Sequence, residues 1–335
     1  MLRPLLLLVS ILFLSAPLLA QENASYPPCS EQPITSRERI VFTSYYEDRE
    51  QQRDIYIFDP ESENMCLLLA NMRGVHFDWS PDGNTIVFNE LSADDTGRIY
   101  VDRLYTIRAN ATELLQQTEL GLGVRGVTWS PDGNLIAYEQ QVPEISIGSM
   151  ITIREGFQGD VIAQYANPYR SGYFPMGSPV WSPNGDRVAF PGSFVDMSFT
   201  LAQPTTQIYT LSTNGDTVFG FTGTSGNDYS PTWSPDGHYL AFISRENDER
   251  HLMIANAETG RADESPIDIA ANIALWLADG RLAFTSKDGD SYSLFVTDAS
   301  MTGNWTTFER VPLPFNIVQF DWWIDPATIE TPETS

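Results

Sequence analysis

The pentapeptide Trp79-Ser-Pro-Asp-Gly83 decides the fold, because it returns at regular intervals along this 335-residue chain. Three near copies follow at Trp129–Gly133, Trp181–Gly185 and Trp233–Gly237, and two worn copies begin at Trp276 and Trp322. Successive tryptophans are 50, 52, 52, 43 and 46 residues apart. Such a period is typical of one four-stranded propeller blade per repeat.

The pentapeptide has the composition of a tight turn between two strands. Proline presets φ at the second turn position, Asp or Asn tolerates the third, and glycine takes the left-handed conformation at the fourth. The tryptophan before the turn can bury roughly 150–250 Å² against a neighbouring sheet. We therefore expect the six tryptophans to pack between blades, and the turn aspartates Asp82, Asp132, Asp236 and Asp279 to bond to their own turns rather than to a metal or substrate.

The two chain ends indicate how the repeat closes. Arg39 to Thr43 resembles the strand that follows the turn in other units, yet no tryptophan turn precedes it, and no complete unit follows Trp322. Ile317 to Trp323 would then supply the innermost strand of a blade whose other strands come from residues 39–70. The sequence predicts an all-β, six-bladed β-propeller of four-stranded antiparallel blades over residues 39–324. Its ring is closed by pairing of the N- and C-terminal strands, which removes the open sheet edges.

These motifs resemble the repeat of TolB-type propellers. The resemblance rests first on the four turns and on the strands that follow them, Ile136-Ala-Tyr138, Val188-Ala-Phe190 and Leu240-Ala-Phe242. It rests also on Ile-Tyr pairs in third strands, Ile55-Tyr56 and Ile208-Tyr209. It implies a non-catalytic module that binds proteins in the cell envelope. Only about twenty residues separate the leader from the first blade, so we expect the N-terminal α/β domain of TolB to be missing.

The remaining segments are assigned from composition. Residues 1–20 read as a signal peptide: Arg3 is followed by an apolar stretch that ends at Ala20 and is short for a membrane span. An uncleaved anchor is the alternative. We expect residues 21–38 to form an N-terminal arm, residues 325–335 a disordered tail, and the mature chain, without a membrane span, to be periplasmic, cell-surface or extracellular.

The two cysteines, Cys29 in the arm and Cys66 at the start of a blade strand, can pair in an exported chain. The alternative is two unpaired thiols, because spacing alone does not give geometry. A bridge would pin the arm across the first blade.

The formal charge of −25 argues against nucleic acid as a partner and favours cationic ones. We expect no cofactor and no metal. The stretch Gly121 to Gly126 matches a dinucleotide fingerprint in letters but leads into a strand. The three histidines, His76, His238 and His251, are too scattered for a metal centre.

A binding site is expected on one face of the ring. The hairpins joining second to third strands are longest at Asn89 to Arg98, Gln140 to Met150 and Pro191 to Gln207, and loops on a rigid scaffold are common binding sites. The innermost strands begin on the same face. Residues three or four before each tryptophan would line the channel mouth: His76, Arg125, Ser178, Tyr229, Asn272 and Gln319. Arg125 would be the one fixed positive charge there, and the alternative is a water-filled channel without a ligand.

We therefore expect an exported, monomeric, non-catalytic scaffold that binds a protein or peptide through this face. The alternative from another class is a carbohydrate-active lyase or hydrolase in the central funnel, which would depend on His76 and the inner-strand carboxylates Asp78, Asp228 and Asp321. A purely structural surface module is a third possibility.

Overall fold

A computed structural model describes most of the predicted propeller. It covers residues 26–45, 52–73, 76–93, 100–117, 123–141, 149–166, 172–175, 178–195, 206–215, 217–218, 222, 227–247, 249–260, 262–267, 270–288, 291–297, 308–313 and 316–329. The predicted signal peptide and most of the long hairpin loops lie outside these residues.

The described chain is built from short strands. The first half contains β1 (Glu38–Tyr45), β2 (Gln52–Phe58), β3 (Met65–Arg73), β4 (His76–Trp79), β5 (Thr85–Ala93), β6 (Tyr100–Arg108), β7 (Leu115–Gln116), β8 (Val124–Trp129), β9 (Leu135–Gln141), β10 (Ser149–Glu155) and β11 (Val161–Ala166). The second half contains β12 (Gly172–Pro175), β13 (Val180–Trp181), β14 (Arg187–Val195), β15 (Thr206–Ser212), β16 (Thr217–Val218), β17 (Asn227–Trp233), β18 (Tyr239–Glu246), β19 (Glu249–Asn256), β20 (Ala262–Ile267), β21 (Ala271–Trp276), β22 (Leu282–Asp288), β23 (Ser291–Thr297), β24 (Phe308–Arg310) and β25 (Asn316–Ile324).

These strands form six antiparallel sheets, which we number as blades 1 to 6. From the innermost strand outward their orders are β25-β1-β2-β3, β4-β5-β6-β7, β8-β9-β10-β11, β12-β14-β15-β16, β17-β18-β19-β20 and β21-β22-β23-β24. First strands of neighbouring blades contact one another around the axis, as β4 does with β8 and with β25. The predicted six-bladed propeller is confirmed.

The ring closes through blade 1, as predicted. Strand β1 pairs with β25 from Glu38 opposite Ile324 to Tyr45 opposite Asn316. The buried apolar residues among those described fall into six clusters, one at each boundary between blades, including blade 6 against blade 1. A linear array of six blades would have five such boundaries, so the sixth cluster shows closure.

Each motif tryptophan packs against the preceding blade. Trp79 lies in the cluster with blade 1, and Trp233 in the cluster with blade 4. The indole Nε1 of Trp181 donates to the carbonyl of Thr128, and that of Trp233 to the carbonyl of Val180, both at 3.3 Å. The tryptophans therefore join neighbouring blades by burial, and Trp181 and Trp233 add a hydrogen bond between blades.

The turns after the tryptophans are closed by their own side chains. In the second blade the amide of Gly83 donates to the carbonyl of Ser80 at 2.8 Å, and the Ser80 hydroxyl donates to Asp82 at 2.6 Å. Gly83 has φ +65°, the left-handed conformation that glycine adopts without strain. Equivalent bonds hold Asp132 and Asp236, and Asp279 accepts from the amide of Arg281. His238 lies in such a turn, where its amide donates to Asp236.

At the turn between blades 1 and 2 an arginine is enclosed by aromatic rings. Arg39 is buried, with its guanidinium carbon 4.1 Å from the ring centre of Trp323 and 5.0 Å from that of Trp79. The indole of Trp323 donates to the carbonyl of Pro81 at 3.0 Å. Burial lowers the pKa of Arg39, although Asp325 and Asp82 oppose the shift. This stack fastens the blade that closes the ring to its neighbour.

The N-terminal arm is attached to the outer edge of blade 1. Cys29 and Cys66 form a disulfide with their Cα atoms 4.9 Å apart, which resolves the alternative that the sequence left open. The amide of Cys29 donates to the carbonyl of Leu67, and the amide of Leu67 to the carbonyl of Pro27, both at 2.9 Å. The arm thereby covers part of an otherwise open strand edge.

Two features differ from the expectation. The inner strand of blade 4 is broken into β12 and β13, which both pair with β14; Pro175 and Pro179 bracket the break and lack the amide that a ladder needs. The first residues of the predicted tail are ordered, because Pro326–Thr328 form a 3₁₀ turn capped by Asp325. Ile329 packs against the cluster between blades 6 and 1.

Candidate functional site

The blades have two distinct ends. The turn end carries the tryptophan turns, such as that of Trp233, which lies opposite Leu240. The mouth end carries the starts of the innermost strands and the hairpins between second and third strands; in blade 5, Asn227 lies opposite Arg245, and Arg245 opposite Arg250. The predicted loops and channel-mouth residues belong to the mouth end.

Four of the six predicted mouth residues each lie in a different environment. His76 is exposed at the start of β4, and its amide donates to the Asn89 side chain at 3.3 Å. Arg125 lies in β8, but its side chain is outside the described residues. Gln319 is partly buried opposite Thr43. Ser178 lies against Gly126, which has φ +58°. A Cβ added to Gly126 would collide with Ser178.

The other two predicted residues, Tyr229 and Asn272, lie on either side of one arginine. Arg250, on β19, donates from Nη1 to Oδ1 of Asn272 on β21, so the bond crosses from blade 5 to blade 6. The Tyr229 hydroxyl is buried beside Arg250 but makes no hydrogen bond of good geometry. All three side chains are partly buried. We refer to Tyr229, Arg250 and Asn272 as the mouth triad.

Burial keeps the phenol of the mouth triad protonated. Burial raises the pKa of Tyr229, against the opposing effect of Arg250 and Arg245 and with a smaller contribution from Tyr292. A neutral phenol can donate a hydrogen bond, as can the guanidinium and the Asn272 amide. The triad is therefore equipped to donate to an acceptor.

Arg250 corrects the expectation that Arg125 is the one fixed positive charge at the mouth. Arg250 belongs to the third strand of its blade, whereas the predicted mouth residues all lie on or beside first strands. The hairpin Arg245-Glu-Asn-Asp-Glu-Arg250 did contain an indication: it places an arginine on each side of a short turn, so the two must face each other across the sheet.

A second polar group lies on the channel wall, immediately before the tryptophans. Asp321 accepts from the amide of Trp79 at 2.9 Å, and Asp78 accepts from the amide of Trp129 at 2.9 Å. Thr232 does the same for Trp276. These bonds join consecutive inner strands, including those on either side of the ring closure.

The two carboxylates influence each other. Removal from bulk water, followed by the neighbouring Asp321, raises the pKa of Asp78 well above its usual value. The loss of hydration raises the pKa of Asp321 to about 6, although the amides of Trp79 and Trp322 stabilise its charged form. Asp228, the third inner carboxylate, is buried and bonded by Thr222 on another segment of the chain.

A cavity of about 460 Å³ lies at the turn end, between blades 4 and 5. Its walls include Trp233, Asp236 and Glu258, together with Arg187, which is 2.9 Å from Asp186. Arg187 and Asp186 thus form an ion pair in its wall. In the part of the chain that the structure describes, no three His, Cys, Asp or Glu side chains are grouped to hold a metal, and no helix has the length and apolar character to cross a membrane.

Comparison with known proteins places this geometry among propellers. No protein-family model matches the chain. It is 24% identical over 195 residues to an uncharacterised protein of Agrobacterium fabrum, Atu1656, covering 56% of this chain and 61% of that one. It is 35% identical over 104 residues to the uncharacterised peptidase YuxL of Bacillus subtilis, covering 30% of this chain and 16% of YuxL. The matches thus span less than two thirds of either relative.

Solved structures show the same architecture. TolB from Acinetobacter baumannii superposes with a TM-score of 0.63 and 16% identity, over 87% of this chain and 68% of that one. A protein of Agrobacterium tumefaciens assigned to TolB gives 0.58 and 17%, over 85% and 91%. The β-propeller domain of the Trilobed protease from Pyrococcus furiosus gives 0.51 and 15%, over 83% and 80%. The chain therefore has the six-bladed β-propeller fold of TolB-type proteins.

Proposed function

We propose that the chain is a non-catalytic scaffold that binds a protein or peptide at the mouth end of its ring. The observation that carries the proposal is the mouth triad, in which donors from two blades meet at the channel rim. Binding residues are commonly held at the rim of a rigid scaffold. The remaining predicted mouth residues, His76, Arg125, Ser178 and Gln319, would extend the contact around the channel.

The test is capture of partners from an envelope extract by the purified chain. We expect the double variant Tyr229→Ala, Asn272→Ala to lose most of the captured protein. Arg187→Gln is the matched control, since Arg187 is ion-paired at the turn end. Equal capture by the double variant and the wild type would overturn the proposal, provided that both are folded by circular dichroism.

We propose further that the protein acts as an exported monomer, in the periplasm, at the cell surface or outside the cell. Two features support export: the leader pattern of residues 1–20 and the disulfide, which persists in oxidising compartments. Expression in the native host with thiol labelling is the test. We expect Cys29 and Cys66 to resist labelling until a reductant is added, and the mature chain to begin after Ala20. Light scattering would check the monomer.

The carboxylate pair Asp78 and Asp321 is the feature that favours an enzyme, since a raised pKa is common in general acids. Its oxygens, however, accept backbone amides, two of which belong to neighbouring blades. That use is structural, and it repeats in Thr232. We therefore place these residues in the ring rather than in a reaction. A screen of the wild type against a glycan panel, with Asp78→Asn as control, would detect hydrolase or lyase activity.

A further inference from the structure

Arg250 differs in its partners from three arginines that form ion pairs. Arg108, Arg187 and Arg281 are each within 3.1 Å of a carboxylate. Arg250 instead contacts two neutral groups, the amide of Asn272 and the phenol of Tyr229. In a chain with 44 acidic and 19 basic residues, a carboxylate partner for Arg250 would be easy to supply. Its neutral surroundings therefore hold the guanidinium in place without neutralising it.

The positive charge is concentrated by a second arginine. Arg245 lies directly opposite Arg250 on the paired strands β18 and β19. The two arginines together give this part of the rim a positive potential that favours binding of an anion.

The buried phenol adds a donor that needs an acceptor. The Tyr229 hydroxyl is shielded from water and has no hydrogen bond of good geometry. Buried polar groups are nearly always bonded, and an unbonded one in a native site calls for an explanation. An oxygen acceptor bound next to Arg250 would accept the hydrogen bond that the Tyr229 hydroxyl can donate.

The donor set matches a carboxylate better than a phosphate. Arginine binds a carboxylate through two parallel N–H groups, and the neutral phenol and amide can donate without adding charge. Phosphate carries close to two negative charges at neutral pH and is usually bound by clusters of cations or by a helix N-terminus. Arg245 and, on the adjoining hairpin of blade 6, Lys287 are exposed, so Arg250 is the partly buried cation that contacts the neutral donors directly.

We propose that the mouth triad is a carboxylate-binding site that recognises a glutamate or aspartate side chain, or the C-terminal carboxylate, of a peptide. This deepens the proposed function and rests on it. The partner contributes the acidic group at the blade 5 and blade 6 side of the channel. The acidic remainder of the protein favours a partner that is otherwise neutral or cationic.

The experiment is a titration of the full chain by NMR, observing Arg250 Nε–H and the Asn272 side-chain amide. The probes are acetylglycine, which presents a main-chain carboxylate, and an acetylglutamate derivative amidated at its α-carboxyl, which presents a side-chain carboxylate. Acetylglycinamide and the matching glutamine derivative are the uncharged controls. For fragments of this size we expect saturation with a Kd on the order of 1–10 mM.

Matched variants decide the outcome. We expect Arg250→Gln to weaken binding of the carboxylate probes at least about tenfold, and Tyr229→Phe to weaken it several-fold, as for a lost charge-assisted or neutral hydrogen bond. Arg187→Gln should bind like the wild type. Saturation by one carboxylate probe alone identifies the source of the acidic group and supports the proposal.

Two results would overturn the inference: equal responses to the acids and to their amides, or no saturable response to either acid by folded wild-type protein. These are separate from failure of the proposed function. If partner capture is lost in the Tyr229 and Asn272 double variant but persists in Arg250→Gln, the scaffold function stands and the carboxylate site does not.

Discussion

The two ends of the blades differ in how their charged groups are paired. At the turn end, each turn repeats one set of hydrogen bonds, and arginines lie beside carboxylates, as Arg281 does at 2.6 Å from Asp279 and 2.9 Å from Glu38. At the mouth end of blade 5, Arg250 faces Arg245 and contacts only neutral groups. Repeated turn hydrogen bonds and arginine–carboxylate pairs are thus features of the end that holds the ring together. At the end that we assign to binding, Arg250 departs from this pattern.

This difference predicts that stability and binding depend on separate residues. Substitutions at the turn end should lower the free energy of unfolding and leave partner binding intact. Substitutions in the mouth triad should do the reverse. Five substitutions test that division, beginning with the one of largest expected effect.

The largest effect is expected for Gly83→Ala at the ring closure. A Cβ at this position would collide with Arg39 and with the ring of Trp323, in a left-handed conformation that alanine rarely adopts. We expect a loss of about 3 kcal/mol in the free energy of unfolding, measured by urea denaturation.

Gly280→Ala is the matched control for that experiment. Gly280 has φ +92° but nothing within 4 Å of the added Cβ, so only conformational strain applies. We expect a loss of about 1 kcal/mol. Equal losses of unfolding free energy in the two variants would contradict this prediction, because they would mean that Arg39 and Trp323 can move aside without destabilising the protein.

Asp321→Asn tests the hydrogen bond between the inner strands. The folded pKa of Asp321, about 6, exceeds its usual value of 3.8, so the folded protein holds this proton more tightly than the unfolded chain does. The resulting stability is complete below about pH 4 and is lost as the pH rises through 6. Asn does not titrate, so the decline between pH 4 and 7 should shrink by about 1–3 kcal/mol relative to the wild type. An unchanged slope of unfolding free energy against pH would contradict this.

Asp132→Ala tests a single repeated turn and should have the opposite dependence on pH. The Ser130 hydroxyl and the amide and side chain of Asn134 hold the pKa of Asp132 below its usual value. The stabilising contribution is therefore present at neutral pH and lost as the pH falls through the folded pKa. Because Asp132 is exposed and screened by water, we expect a loss of no more than about 1 kcal/mol at pH 7. Thermal unfolding of variant and wild type should converge in acid.

Arg250→Gln should have the smallest effect on stability. Glutamine can still bond Asn272, and the position is only partly buried, so we expect a change within about 0.5 kcal/mol. Chemical denaturation provides the measurement, alongside the expected loss of carboxylate binding. A large destabilisation would mean that the arginine serves the fold, and would weaken its assignment to a site.

The fold could be predicted from the sequence because its determinants are local and repeated. The turn chemistry of Trp79 to Gly83 depends on residues within one pentapeptide, and the period between tryptophans gives the number of blades. Closure could be inferred from the unmatched ends, since Arg39 to Thr43 lacks a first strand and Trp322 lacks the later strands of its blade. Each of these inferences needs only chain order.

The candidate site could be predicted only in part, because it depends on contacts between strands far apart in sequence. Tyr229 and Asn272 were found from their distance to a tryptophan, but Arg250 joins them from a third strand. Likewise, neither Asp78 nor Asp321 shows in sequence that it accepts the amide of the next blade's tryptophan. Side-chain partners across blades are set by three-dimensional packing, which the repeat does not encode.

The disulfide between the arm and β3 also determines how the ring would bear mechanical load. In the pairing of β1 with β25, Glu38 lies opposite Ile324, so a pull on both chain ends would act on the same end of that ladder and peel it open pair by pair. The bond from Cys29 to Cys66, which are 37 positions apart in sequence, bypasses the segment that contains β1. Tension applied at the N-terminus therefore passes into β3, the outermost strand of blade 1. In a protein tethered by its N-terminus, this tension would not pull directly on β1, which pairs with β25 to close the ring.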